Sequence, residues 1–146
     1  MRNYSIYLIE EEFASHYFGR ESIIFNLFLD YKRTSFDNKT LLSKQIEFIT
    51  RPIPTLKLHQ ILETTLSNSP SYHHFGNSHF MQINAPESEA MIKIFDRHIR
   101  IEATGGYEAE TVFFEILRKY DSCFLAMEFH LDRYGWLNPI KQRNFV

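Results

Sequence analysis

Residues 91–103 carry the most restrictive pattern in the chain. MIKIF (91–95) and HIRIEA (98–103) alternate apolar and polar residues on either side of Asp96-Arg97. Two period-two runs joined by a short turn predict an antiparallel hairpin with one face buried and the other in water. The buried face of such a hairpin has to be covered by a second layer. Two further runs, YSIYLI (4–9) and CFLAMEF (123–129), are apolar on both faces. A strand of that kind fits only inside a sheet covered from both sides. Residues 78–84 read as another strand.

Between the strands the period changes. Phe13, Ala14, Tyr17 and Phe18 fall at helical spacing, behind Glu10, Glu11 and Glu12, where a helix N-terminus favours negative charge. Gly19 interrupts this short helix, and a second is predicted from about Arg20 to Arg33. A helix over residues 39–50 is ended by Arg51-Pro52, because a residue before proline disfavours helical geometry. Another follows Pro54, from Thr55 to about Ser67. Residues 68–76 read as a polar loop. Gly105-Gly106 turns the chain into a helix from Tyr107 to Tyr120. The order β–α–α–α–β–β–β–α–β predicts an α/β fold with an α+β-like order. A single domain over residues 1–146 would hold a mixed sheet of about five strands under about four to five helices. The strand–helix–strand step from 98–103 to 123–129 is expected to be parallel and right-handed. The aromatic C-terminal run RYGWLNPIKQRNFV is expected to pack down on the domain.

Charge and composition narrow the function. Lys and Arg number 16 against 18 Asp and Glu, a net charge of −2 with no basic stripe, which argues against direct nucleic-acid binding. The one cysteine, Cys123, excludes an intrachain disulfide framework and suits a reducing cytoplasm. The apolar run at the N-terminus is short and soon acidic, unlike a signal peptide. No stretch approaches the ~20 apolar residues of a membrane span. Fourteen Phe and eight Tyr against one Trp leave rings near the surface, and exposed rings are typical anchors of protein–protein contacts.

The chemical constellations are sparse. His73, His74 and His79 lie within seven residues, but no Cys or carboxylate is spaced with them as a ligand set, so they read as polar loop histidines and no metal is expected. Cys123 begins a buried strand, where thiols are inert. Gly105-Gly106 stands between strand and helix, the right order for a phosphate cradle. Glu108 and Glu110 in the first helical turn would repel an anion there, and a tight turn is the simpler reading. The helical faces are more telling. Phe13 and Tyr17 share one face. In 39–50, Leu42, Ile46 and Ile49 form a sufficient core stripe, with Leu41, Gln45 and Phe48 as a second row beside it. Either both extra rows pack on each other or on the tail, or they form an exposed patch for a partner protein.

The segments YLIEEEFASHYFGRESIIFNLFLDY (7–31), KQIEFITRPIP (44–54) and YEAETVFFEILRKYDSCFLAMEFHLDRYGWLNPIKQRNFV (107–146) resemble the SirA family, sporulation inhibitors of replication in endospore-forming bacteria. The resemblance spans nearly the whole chain and is loose over 34–43 and 67–89. It implies a small cytoplasmic α/β protein that is not an enzyme and carries no cofactor. Its partner would be the N-terminal domain of the replication initiator DnaA, bound so that initiation is blocked during commitment to sporulation. In that family two neighbouring helices grip the initiator. The matching positions are Phe13, Ala14 and Tyr17 on the first, and Gln45 and Phe48 on the second. Leu41 joins them from the helical row. At 48 the family can carry Tyr, so ring packing rather than a hydroxyl contact is implied for Phe48. The runner-up reading is a small enzyme that holds a phosphate-bearing ligand at Gly105-Gly106.

The charge balance makes a first prediction. At ~150 mM salt, where phosphate attraction is already weakened, the purified protein leaves a duplex DNA probe unshifted in a gel; a shift by the protein alone would contradict the protein-partner reading.

Overall fold

The computed structural model describes residues 1–34, 36–85 and 87–138, without the side chains of 36–38. The strands are β1 (Arg2–Ile9), β2 (Thr50–Arg51), β3 (Tyr72–Phe75), β4 (Ser78–Asn84), β5 (Glu87–Ile94), β6 (Ile99–Gly105), β7 (Phe124–Glu128) and β8 (Arg133–Trp136). The helices are α1 (Glu11–His16), α2 (Glu21–Arg33), α3 (Phe36–Ile49), α4 (Thr55–Leu66) and α5 (Glu108–Tyr120). One eight-stranded sheet runs β3-β4-β5-β6-β1-β7-β8, with β2 paired to the end of β1.

This corrects the expected mixed sheet of about five strands. Every pairing is antiparallel. Strands β6 and β7 do run parallel to each other, because both are antiparallel to β1. The N-terminal strand is inserted between them, so they never pair. The 68–76 loop is also corrected, since its second half is the edge strand β3. Three of its four residues are exposed, so burial imprints no apolar alternation on it. The tail expectation is met in part by β8, which pairs with β7; residues 139–146 lie outside the described residues.

Helices lie on both faces. Tyr4 and Tyr7, three apart on β1, point to opposite sides. Tyr4 meets Phe114 of α5 edge-on at 5.0 Å, and Tyr7 meets Phe28 of α2 at 4.4 Å. The α5 side buries Ala90, Ile92 and Ile94 of β5 against Ile99, Ile101 and Ala103 of β6. Arg100 between them is exposed, as the alternation predicts. On the α2 side, Phe25 stacks on Tyr134 of β8 at 4.6 Å. Trp136 Nε1 donates to Glu21 Oε2 at the helix start, 3.0 Å away. Residues of β7 are buried throughout, which accounts for a strand apolar on both faces.

Helix α5 carries a buried charge on its inner face. Glu110 is 1% exposed and accepts from Arg2 Nε at 3.0 and 3.1 Å and from the Tyr4 hydroxyl. Burial and this hydrogen bond push the Tyr4 pKa above the ordinary tyrosine range. Removing one partner of a buried pair leaves an uncompensated charge. Arg2→Ala is therefore expected to cost about 3 kcal/mol of stability, read from the midpoint of chemical denaturation. A loss below about 1 kcal/mol would mean that Glu110 finds compensation elsewhere.

Candidate functional site: an exposed aromatic surface on two helices

Helices α1 and α3 are fixed to each other through the end of β1. The Glu10 N–H that opens α1 donates to the Ile49 carbonyl that closes α3, at 2.8 Å. One residue back, Ile9 pairs with Thr50 in β2. The last turn of α3 is capped from the β5–β6 turn. Arg97 Nη2 donates to the carbonyls of Glu47 and Thr50 at 3.2 and 3.3 Å, and to Thr50 Oγ1 at 3.0 Å. Thr50 Oγ1 in turn donates to the Ile46 carbonyl at 2.8 Å. A guanidinium there satisfies carbonyls that the helix leaves open and complements its negative end. Sequence spacing gives no hint of this, because Arg97 and Thr50 are far apart in the chain.

Within that frame the two rows separate by burial. Ile46 and Ile49 of α3 are buried and Leu42 is half-buried, so the core stripe is as expected. Leu41 is 62% exposed, Phe48 is 73% exposed, and Gln45 between them is exposed. On α1, Ala14 is buried and Phe13 is half-buried against the core. The Phe13 ring meets the Phe48 ring edge-on, 5.4 Å between centroids and 68° between planes, a favoured geometry for aromatic pairs. This contact brings the two predicted rows together. Tyr17 differs from the expected helical position, for α1 ends at His16 and Tyr17 is its C-cap. Its half-buried ring lies edge-on to His16 at 4.8 Å, with the Arg20 guanidinium 5.6 Å above it. Glu11, Glu12, Lys44 and Glu47 on the two helices are exposed, so the patch has a charged rim.

The other constellations read differently in three dimensions. Gly105 has φ +76°, and a Cβ there would lie 2.5 Å from the Glu87 carbonyl. The close approach of backbone demands glycine. Two donors at this turn are occupied: Gly106 N–H donates to the Glu87 carbonyl at 2.9 Å and Ala109 N–H to Ser88 Oγ at 2.9 Å. With Glu110 held by Arg2 as well, the tight-turn reading accounts for Gly105-Gly106 without a phosphate. Cys123 is buried, and burial pushes its thiol pKa up, the opposite of an activated nucleophile.

A family model described as "Sporulation inhibitor of replication protein SirA" matches residues 2–141. The protein of that name from Bacillus subtilis (strain 168) is 49% identical over 147 residues, covering 99% of this chain and 99% of its own length.

Burial separates the two rings of the patch. Phe48→Ala is expected to leave folding stability within about 0.5 kcal/mol. Phe13→Ala, which removes a half-buried ring, costs about 1–2 kcal/mol. Parallel chemical denaturation of both variants distinguishes them. Equal large losses would place Phe48 in the core instead.

Proposed function

Because the chain belongs to the SirA family of sporulation inhibitors of replication, we propose that it blocks replication initiation by seating the α1–α3 surface on the N-terminal domain of the initiator DnaA. Phe13, Tyr17, Leu41, Gln45 and Phe48 are the contact residues, with the buried Ala14 beneath them seating α1. The observation that carries this reading is the exposed apolar row of Leu41 and Phe48, with the Phe13 ring held against it. Large apolar side chains left in water on one helix, beside a half-buried ring on the adjoining one, are the usual mark of a partner surface.

The mechanism is steric and needs no chemistry of its own. Phe13, Phe48 and Tyr17 fill an apolar groove on the initiator domain. Ala14, the small buried residue between Phe13 and Tyr17 in the chain, packs into the core and seats α1 behind the contact rings. Gln45 has a side-chain amide free to orient the complex by a hydrogen bond. The initiator surface so covered is denied to whatever else docks on it, be that self-association, helicase loading or an activating partner. The reading places the protein in the cytoplasm, where a thiol such as Cys123 stays reduced and where the initiator works. No helix among the described residues is long and apolar enough to cross a membrane.

The test is a titration of the isolated initiator N-terminal domain. Phe48→Ala is expected to raise Kd roughly thirtyfold, about 2 kcal/mol, with the fold unchanged. Phe75→Ala, which removes an exposed ring on β3, should leave affinity as it is. Wild-type affinity in Phe48→Ala, or an equal loss in Phe75→Ala, would rule out this surface.

A further inference from the structure

Three imidazoles from three elements converge on the α4 side of the β3–β4 hairpin. His74 of β3 is directly opposite His79 of β4 in the antiparallel register, and opposite residues share a face. Their rings stack with centroids 4.6 Å apart and 16° between planes. His59 comes down from α4 so that its Nδ1 lies 2.8 Å from His79 Nε2. One nitrogen from each ring lies within 4.8 Å of the others. His73 is opposite Phe80, and strand alternation turns it to the other face. The histidine group legible in the sequence, His73, His74 and His79, is therefore replaced in space by His59, His74 and His79.

We propose that His59, His74 and His79 form a binding site for a zinc-class transition-metal ion, which would fasten α4 to the β3–β4 hairpin. Imidazole nitrogen is a preferred zinc donor. Tetrahedral Zn–N bonds of about 2.0–2.1 Å hold ligand nitrogens about 3.3 Å apart, a spacing within the span of this cluster. The outer shell is also in place. The Tyr72 hydroxyl lies 2.6 Å from His79 Nδ1; in the tautomer in which Nδ1–H donates to that oxygen, Nε2 is the nitrogen left for the ion. Glu63 Oε1 lies 2.9 Å from His74 Nδ1 and the Gly76 carbonyl 3.0 Å from its Nε2. The His74 nitrogen that takes the ion therefore gives up one of these contacts and releases any proton it carries to solvent, while the carboxylate stands by to offset the charge or to supply a fourth ligand. His79 is 0% exposed, whereas His59 is half-buried and His74 exposed; the ion enters from the His74 side.

Proton balance is simple for His59 and His79. Of His59 Nδ1 and His79 Nε2, one carries the proton of their hydrogen bond. Binding requires that proton on the far nitrogen of the same ring, a tautomer change without net uptake. Burial, with His74 and His59 nearby, pushes the His79 pKa down to about 4. The residues belong to α4, β3 and β4, apart from the α1–α3 surface, so the site neither needs the partner reading nor depends on it.

The test uses the full chain freed of metal by chelator and titrated calorimetrically with zinc sulfate, with melting temperatures measured in parallel. One equivalent of zinc binds and raises the melting temperature; magnesium does neither. Tyr72→Phe acts as a positioning change and weakens zinc about tenfold or more, while His59→Ala and His74→Ala each weaken it further. His73→Ala, one residue away on the opposite face, binds zinc like wild type. Absence of heat and of a melting shift in wild type would overturn the site. So would a loss in His73→Ala equal to that in His74→Ala, which would mark diffuse binding by surface histidines. His74 is exposed, so its variant keeps the fold and the comparison holds even if His59→Ala does not.

Discussion

The last two residues of β1 and the residue that follows them hold the molecule together. Ile9 donates its N–H to the Cys123 carbonyl at 2.9 Å, and Glu10 donates to Ile49 at 2.8 Å. The Ile9 carbonyl accepts from Arg51 Nη2 at 3.2 Å. Arg51 also pairs with Asp121 at 3.3 Å, and Asp121 Oδ1 accepts the Cys123 N–H at 2.8 Å. The central strand, the entry to β7, the end of α3 and the start of α1 are thereby joined by main-chain bonds or by side chains clamped to main chain. The relative placement of α1 and α3 follows from this junction rather than from the rings they expose. A surface built this way can lose a ring without losing its shape.

That junction also explains how a six-residue helix can serve as half of a surface. A helix as short as Glu11–His16 is unstable alone, since nucleation is costly and few bonds repay it. Here Ala14 is buried, the first turn carries Glu11 and Glu12, and the Ala14 N–H donates to Glu10 at 2.9 Å. The acidic first turn complements the helix dipole. Phe13 then reaches half into the core and half out to Phe48. A ring restrained by an edge-on neighbour has fewer rotamers to lose when it is covered, and preorganisation of this kind lowers the entropy cost of binding. The exposed carboxylates of Glu11 and Glu12 bear on choice of partner, because a complementary cationic rim speeds encounter more than it tightens the complex.

Legibility in the sequence tracked burial. The β5–β6 hairpin and the two-sided strands β1 and β7 could be read because water and core impose their period directly on residue type. The surplus row of α3 could be read for the same reason: Ile46 and Ile49 already satisfied the core, which left Leu41, Gln45 and Phe48 over. Where burial imposes little, the pattern fell silent. Strand β3 is an exposed edge, β2 has two residues, and β8 follows a turn in which Asp132 has φ +50°. Neighbour order in the sheet was silent too, for a buried strand has the same composition whether β1 or β6 lies beside it. Contacts between distant positions, such as Arg97 with Thr50 or His59 with His79, leave no periodic trace at all. Only the pairing register brings His79 opposite His74 and sends His73 away.

The two surfaces are mechanically separate despite their closeness in sequence. Helix α3 ends at Ile49 and α4 begins at Thr55, so residues 50–54 are the whole connection. None of it is slack. Thr50 and Arg51 pair with β1, buried Ile53 donates its N–H to the Asp96 carbonyl at 2.8 Å, and Pro52 and Pro54 fix their own φ angles. A tilt of α4 toward the β3–β4 hairpin would have to break these sheet contacts before it could move α3. Fastening α4 and docking a partner on α3 are therefore expected to be energetically independent, as is usual for distant sites without shared contacts. A partner docking on the α1–α3 surface as proposed would meet a preformed rigid body, and any adjustment of shape would fall to the partner.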